Sequence, residues 1–404
     1  MNNYKKDFPI FKNNPELIYL DSAATSQKPQ IVIDTITDFY AQYNSNIHRG
    51  LYPIAEKASA KVEEVREQVR KFINARDKNE IIFTHGATEG LNLIAYTWGD
   101  QRIHSEDTVV VTIMDHHANF VPWQQLAKKK KANFAVVSVE ENGELDEKDL
   151  LQKVKNARLL ALPYVSNVLG SINNLEKLIF KIRKINSQII IVADAAQAAP
   201  FIPINVQTMD CDFFVFSGHK MYAGTGIGVL FGKKELLESI PPFLFGGDMI
   251  REVTIKKTTF ADSPSKFEAG TLHIAGIISL GEAIDFLQGI GMEKVREQEQ
   301  LLAAFCWEEL SKIDSIRILG PNKKSERSNI VSFIMEGVHP HDVAQVLADN
   351  TICVRAGHHC AMPLHTFLKI PATVRVSFGV YNDQKDVEKL IQGIQQTKKL
   401  LQKK

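Results

Sequence analysis

Only four cysteines occur in the 404 residues, Cys211, Cys306, Cys353 and Cys360. That is too few for a disulfide scaffold and points to a reducing compartment. Long apolar runs are also missing. The most apolar stretches, such as 188–201 with its Asp194 and Gln197, are interrupted, and none approaches the ~20 residues that span a bilayer. Segment 1–11 is polar and lacks the apolar centre of a signal peptide, so a cytoplasmic protein without membrane attachment is expected. Charge of one sign is absent too. The 48 basic and 47 acidic side chains leave a net charge of +1, which excludes a strongly basic nucleic-acid binder. No internal repeat or low-complexity tract is visible, and 44% hydrophobic residues exclude a disordered or collagen-like chain.

The length predicts two or three domains at ~100–200 residues each. Short β-branched or aromatic runs at 80–84, 108–113, 134–139, 158–163, 189–193 and 213–217 alternate with helical patterns such as 58–73 and 175–185. Such alternation predicts βαβ units around a mainly parallel sheet. Segment 246–265 reads as a hairpin-like excursion, and 277–310 as one long helical run. A smaller region follows, with strands at 329–335 and 352–355, a helix at 341–349 and a final amphipathic helix after Asp383. The lysine run 128–131 reads as a solvated helix end.

Open α/β sheets bind ligands beyond the carboxyl ends of their strands, so residues just after strands carry the functional argument. In FFVFSGHKMYAGTGIGVLF (213–231) an apolar strand runs into Ser217, His219 and Lys220. Burial disfavours the ammonium form, and a desolvated lysine suits Schiff-base chemistry. A lysine that snorkels out of the sheet end is the plain alternative, and this motif alone leaves both open. Ser217 and His219 offer hydrogen bonds to an anion such as phosphate. In IIIVADAAQAAPF (189–201) Asp194 ends a strand and Gln197 follows it. A carboxylate there can keep a pyridinium nitrogen protonated and make its ring an electron sink, although a helix N-cap is the commoner role. In FTHGATEGLN (83–92) Gly86, Ala87 and Thr88 form a phosphate-type helix start, a weak signal by itself.

His116 and His117 follow a strand in IMDHHANFVPW (113–123). One could stack on a planar cofactor or move protons. Adjacent residues leave a strand in opposite directions, so at most one is expected to do so, and a structural histidine is the other reading. In CVRAGHHCAMP (353–363) Cys360 follows His358 and His359, with Arg355 nearby. Cationic neighbours lower a thiol's pKa from about 8.5 and favour the nucleophilic thiolate. The pattern lacks zinc-ligand spacing, so no metal is expected, and a buried packing cysteine is the competing view.

In combination these signals describe a fold-type I pyridoxal-phosphate enzyme. Along nearly its full length the chain resembles the SUF-type (group II, SufS-like) cysteine desulfurases of the class V aminotransferase superfamily. The resemblance rests on YLDSAATSQKP (19–29), NIHRG (46–50), ATEGLN (87–92), DHHAN (115–119), VSNVLG (165–170), DAAQAAP (194–200), SGHKMY (217–222), FEAGT (267–271), RAGHHCAMP (355–363) and RVSFGVYN (375–382). It implies an α/β fold-type I transferase. The large pyridoxal-phosphate-binding domain would span 20–290 around a mainly parallel seven-stranded sheet. Segments 1–19 and 291–404 would form a smaller α+β domain carrying the cysteine loop.

The resemblance also implies roles. Lys220 matches the lysine that holds pyridoxal 5'-phosphate, Asp194 the partner of its ring nitrogen, and Gln197 the partner of its phenolic oxygen. His116 matches the histidine stacked on the ring and is taken as catalytic with Lys220 and Cys360. Ala87, Thr88, Ser217 and His219 match the phosphate site, and Thr271 a residue reaching across from the second subunit of a homodimer. Asn167, His48, Arg355 and Arg375 match groups around L-cysteine, with Arg375 gripping the carboxylate bidentately. Cys360 matches the nucleophile that takes the substrate's sulfur as a persulfide, leaving L-alanine. The sulfur would pass to a SufU-type or SufE-type acceptor protein for iron–sulfur cluster assembly, and His341 falls where users of the zinc-containing SufU type carry a histidine.

Departures from the family pattern stand at Tyr52, His85, Tyr164, Ala195, Phe201, Ala223-Gly224 and Leu272, and are expected around the pocket mouth and dimer contact. Other readings are a selenocysteine lyase or another lyase of this fold, a non-catalytic partner-binding scaffold, and a histidine-based metal protein. Cys360 argues against an ordinary aminotransferase, which needs no thiol. Lys220, Asp194, Arg375 and Cys360 together argue against a scaffold.

Overall fold

A computed structural model describes residues 4–48, 50–322 and 327–401. The first three residues of the polar N-terminal segment and Arg49 of NIHRG lie outside these.

Seven strands form the large sheet: β1 (Ile81–Thr84), β2 (Thr108–Thr112), β3 (Asn133–Val137), β4 (Leu159–Pro163), β5 (Ile190–Asp194), β6 (Phe213–Ser217) and β7 (Gly228–Gly232). Their order is β1-β7-β6-β5-β4-β2-β3. All neighbouring pairs are parallel except those made by β7, which runs against both β1 and β6. Both faces of the sheet are covered, so its strands are apolar throughout and their residues alternate between two cores. Val109, Leu159, Ala161, Phe213 and Val215 face α2 (Ala87–Ile94) and α3 (His117–Lys130). Val110, Leu160, Leu162, Phe214 and Phe216 face α1 (Pro53–Phe72), α4 (Leu175–Ile185) and α5 (Ile274–Ile290). The Gly-rich stretch after Lys220 is therefore not only a loop. It contains β7, and Gly228 is required there because a Cβ would stand 2.5 Å from Gly86 Cα.

The expected single helix over 277–310 is two, α5 and α6 (Met292–Leu310), bent by 77°. Gly291 at the break has φ +92°, a conformation open chiefly to glycine. The apolar α5 passes into the more polar α6 with only Gly291 between them, so helix-forming residues on both sides hid the break. No single helix among the described residues is long and apolar enough to cross a membrane. The excursion at 246–265 contains an antiparallel hairpin, Ile250–Val253 with Thr258–Phe260.

A second sheet has β8 (Ile316–Leu319), β9 (Ile330–Met335), β10 (Arg355–Gly357) and β11 (Thr373–Ser377) in the antiparallel order β8-β9-β11-β10. It packs with α6, α7 (Pro340–Asp349) and α8 (Gln384–Leu401). Ile18–Tyr19 pairs with Ile352–Cys353 beside it. Phe8 and Phe11 of the N-terminal segment are buried in a core cluster shared with Val380 and Tyr381. Phe8 meets Tyr381, Phe286 and Tyr222 at ring distances of 4.9, 5.8 and 5.9 Å, and aromatic packing outweighs proximity in sequence.

Candidate active site

Several strand ends and helix starts converge on one cavity of about 790 Å³, counting its open mouth. β5 and β6 are parallel neighbours, with Asp194 opposite Val215, so residues at their carboxyl ends necessarily meet. Asp194 and Gln197 come from the first, and Ser217, His219 and Lys220 from the second. Ala87 and Thr88 start α2, His116 caps α3, and Asn167 follows β4; all line the same cavity.

Burial raises the Asp194 carboxyl above its ordinary range, opposed by the Ala196 N–H and the nearby Lys220. Lys220 is half-buried at the wall. Desolvation lowers its amine from 10.5 to about 8, against the pull of Asp194, with Arg375 and Arg355 adding to the depression. His116 Nδ1 accepts from the Ala118 N–H at 3.1 Å, so the proton of the neutral ring sits on Nε2. Burial and then Lys220 lower His116 to about 3, and the ring stays uncharged at neutral pH. Of the two adjacent histidines only His116 lines this cavity. Gln197 donates to the Ala23 carbonyl at 2.8 Å, and the Ala87 N–H donates to Ser217 Oγ at 2.9 Å.

The second sheet supplies the opposite wall. Arg355 on β10 and Arg375 on β11 are register partners, so both side chains leave the sheet on one face, and both line the cavity. Arg375 donates to the Asn167 carbonyl at 3.0 Å and to Asp21 at 3.1 Å. Its Nε stays buried without a hydrogen-bond partner among the described residues.

Cys360 is half-buried on the loop after β10, and His359 beside it reaches the cavity wall. Both residues have left-handed backbone, φ 49° and 57°, which is strained for non-glycine residues. Asn167 Nδ2 donates to the His359 carbonyl at 2.6 Å, joining loop and cavity. Among the described residues no group of three His, Cys, Asp or Glu could hold a metal ion.

Two predicted site residues are not brought here. His48 is exposed with φ 75°, and its N–H bonds Ser59 Oγ at 2.9 Å. Thr271 is exposed and lines a separate crevice with His85 and Leu272. The segment before it is pinned by Glu268, which pairs with buried Arg66 at 2.8 and 2.9 Å. The departures expected at the mouth divide likewise. Phe201, Ala195 and Ala223 are wholly buried in the large core, because they follow a core strand or turn rather than face outward.

Three residues in or next to the site are given no site role of their own by the sequence. Asp21 is the counter-ion of Arg375. Lys28 donates to the Ser26 and His219 carbonyls at 2.7 and 2.8 Å, and burial lowers it to about 7. Buried His359 bonds Thr373 Oγ1 at 2.8 Å. Asp21 and Lys28 lie in YLDSAATSQKP, so the motif pointed to the right segment without saying which side chains face inward.

These residues suit pyridoxal 5'-phosphate. A depressed lysine amine and a buried carboxylate stand at adjacent strand ends, Thr88, Ser217 and His219 cluster at a helix N-terminus that favours an anion, and the orphaned Arg375 Nε offers a buried donor for a carboxylate.

The chain matches the aminotransferase class-V family over residues 18–390. It is 46% identical over 402 residues to a probable cysteine desulfurase of Staphylococcus aureus (strain N315), covering 98% of this chain and 97% of that protein. A probable cysteine desulfurase of Staphylococcus epidermidis (strain ATCC 12228) is 46% identical over 397 residues, 97% of this chain and 95% of that one. The apo structure of a cysteine desulfurase from Thermococcus onnurineus NA1 has a TM-score of 0.94 at 36% identity, covering 100% of this chain and 99% of its own. The Escherichia coli cysteine desulfurase CsdA in its S-sulfonic acid form has a TM-score of 0.91 at 35% identity, with 98% of each chain covered. Fold and site together define a fold-type I enzyme whose cofactor is pyridoxal 5'-phosphate. The chain belongs to the class-V aminotransferase family and, within it, to the cysteine desulfurases.

Proposed function

We propose that this cysteine desulfurase converts L-cysteine to L-alanine and takes the sulfur on Cys360. The observation that carries the reading is the 2.6 Å bond between cavity-lining Asn167 and the backbone beside Cys360, which ties a thiol to a lysine–aspartate site. Bound pyridoxal phosphate supplies an electron sink for the substrate's carbon skeleton. Lys220 and Asp194 hold its two ends of chemistry, Gln197 and His116 its ring, and Ala87, Thr88, Ser217 and His219 its phosphate. Arg375, with Arg355 and Asn167 beside it, receives the substrate carboxylate, and Asp21 keeps the Arg375 fork aimed. Lys220, with an amine lowered to about 8, moves the α-proton. The Cys360 thiolate bonds to the substrate sulfur as the Cβ–S bond breaks. The electron pair stays with the carbon and is protonated there, so L-alanine leaves and Cys360 keeps a persulfide.

In this reading the large domain is 20–290 and the small one 1–19 with 291–404. The enzyme is a cytoplasmic homodimer of the SUF type, in which Thr271 and His48 serve the partner's site. Their exposure, and that of Leu51 and Ile255, supports it. The persulfide passes to a SufU-type or SufE-type acceptor for iron–sulfur cluster assembly, and exposed His341 at the start of α7 suits contact with a partner. The test is Cys360→Ala in the cofactor-loaded protein. It should keep the visible absorbance of bound cofactor and lose alanine release from L-cysteine; normal turnover would refute the persulfide reading.

A further inference from the structure

His117 is the histidine that the cavity leaves unused, and its contacts lie on the loop of the nucleophile. Its backbone N–H donates to the Cys360 carbonyl at 2.6 Å, and its Nε2 accepts the Met362 N–H at 3.0 Å. An N–H can only donate, so Nε2 carries no proton and the neutral ring is protonated on Nδ1. One residue therefore holds the chain on both sides of Ala361. The loop needs such anchors, because His359 and Cys360 both hold left-handed backbone that persists only when its surroundings over-determine it. Asn167 grips the first carbonyl of the turn at 2.6 Å. His365 faces the Ala361 carbonyl through Nδ1 at 3.0 Å and Thr373 through Nε2 at 3.2 Å. Of these anchors, only the His117 ring holds a backbone N–H beyond the nucleophile.

We propose that His117 is a positioning residue for Cys360, a clasp whose ring acceptor keeps the strained loop closed against the cavity. This rests on the assignment of Cys360 as the sulfur acceptor. The clasp requires an acceptor at the place of Nε2 and nothing else of the imidazole. Glutamine can put an amide oxygen there, phenylalanine keeps the ring without the acceptor, and alanine removes both.

The experiment compares cofactor-loaded wild type, His117→Ala, His117→Phe and His117→Gln by two readouts. The first is iodoacetamide labelling of Cys360, followed by mass spectrometry of its peptide. The second is kcat and KM for L-cysteine. Alanine and phenylalanine should raise the labelling rate and lower kcat, each by about tenfold, equal to about 1.4 kcal/mol, with KM held within about twofold. Glutamine should restore both rates, and cofactor absorbance should stay unchanged throughout. Wild-type labelling and kcat in the alanine and phenylalanine variants would overturn the clasp, as would a glutamine variant as impaired as alanine. If Cys360→Ala still released alanine, the sulfur-acceptor reading would fail. The labelling comparison would still decide whether His117 holds the loop.

Discussion

The two halves of the site are built by different means. On one side, Asp194 ends one buried strand and Lys220 follows, three residues on, the end of its parallel neighbour. Their meeting follows from strand order. On the other side, Cys360 lies on a strained loop held by side chains of Asn167, His117 and His365 and by Thr373 of its own sheet through His359. The first half is rigid because the sheet is rigid. The second is only as fixed as its side-chain anchors, which suits the proposed role of a thiol that receives sulfur and then surrenders it.

The largest effect should come from the rigid half. Lys220→Ala is expected to abolish the visible absorbance of bound cofactor and to lower alanine release by at least about a thousandfold, the scale of losing a covalent catalytic group. Retention of both in a spectrum and a product assay would break the assignment. Next, Arg375→Lys keeps the charge and loses the planar fork. It should raise KM for L-cysteine by about 10–100-fold while cofactor absorbance is unchanged, since the site is a buried, charge-assisted one. An unchanged KM would move the carboxylate site elsewhere.

A pH experiment tests the electrostatics of the rigid half. Only the neutral amine attacks a carbonyl carbon, so the rate at which cofactor-free protein takes up pyridoxal phosphate should rise with pH and level off above about 8. A rise continuing to 10.5, the ordinary lysine value, would mean a solvated lysine. Asp194 holds this amine's pKa up, so Asp194→Asn should move the midpoint lower. The smallest effect is structural. Gly291→Ala at φ +92° should cost about 1 kcal/mol in denaturant unfolding, with activity unchanged. No loss would mean that the bend between α5 and α6 does not depend on glycine.

Six of the seven large-sheet strands were legible as short apolar runs, because a strand buried on both faces writes its burial into every residue. β7 was harder to see, since Gly228 and Gly232 end it and the preceding glycines read as loop. The break at Gly291 was hidden because helix-forming residues continue on both sides of it. Within the site, Asp194, Lys220, His116 and Thr88 announced themselves by standing just after strands. Asp21 and Lys28 did not, because nothing local distinguishes an inward-facing side chain in an irregular segment.

By itself, the sequence determined which residues end the buried strands, and therefore that a lysine and a carboxylate would meet at one sheet edge with a helix N-terminus beside them. The motif around Cys360 likewise singled out one of four scattered cysteines as the candidate thiol. Tertiary structure alone decided which way the paired histidines turn, that Arg355 and Arg375 stand side by side, and that Arg375 keeps a buried Nε without a partner among the described residues. It also decided what holds the Cys360 loop, since Met362 and His117 are 245 residues apart. Strand periodicity is local and readable along the chain. Contacts across hundreds of residues depend on how two sheets are docked, and no local pattern encodes that.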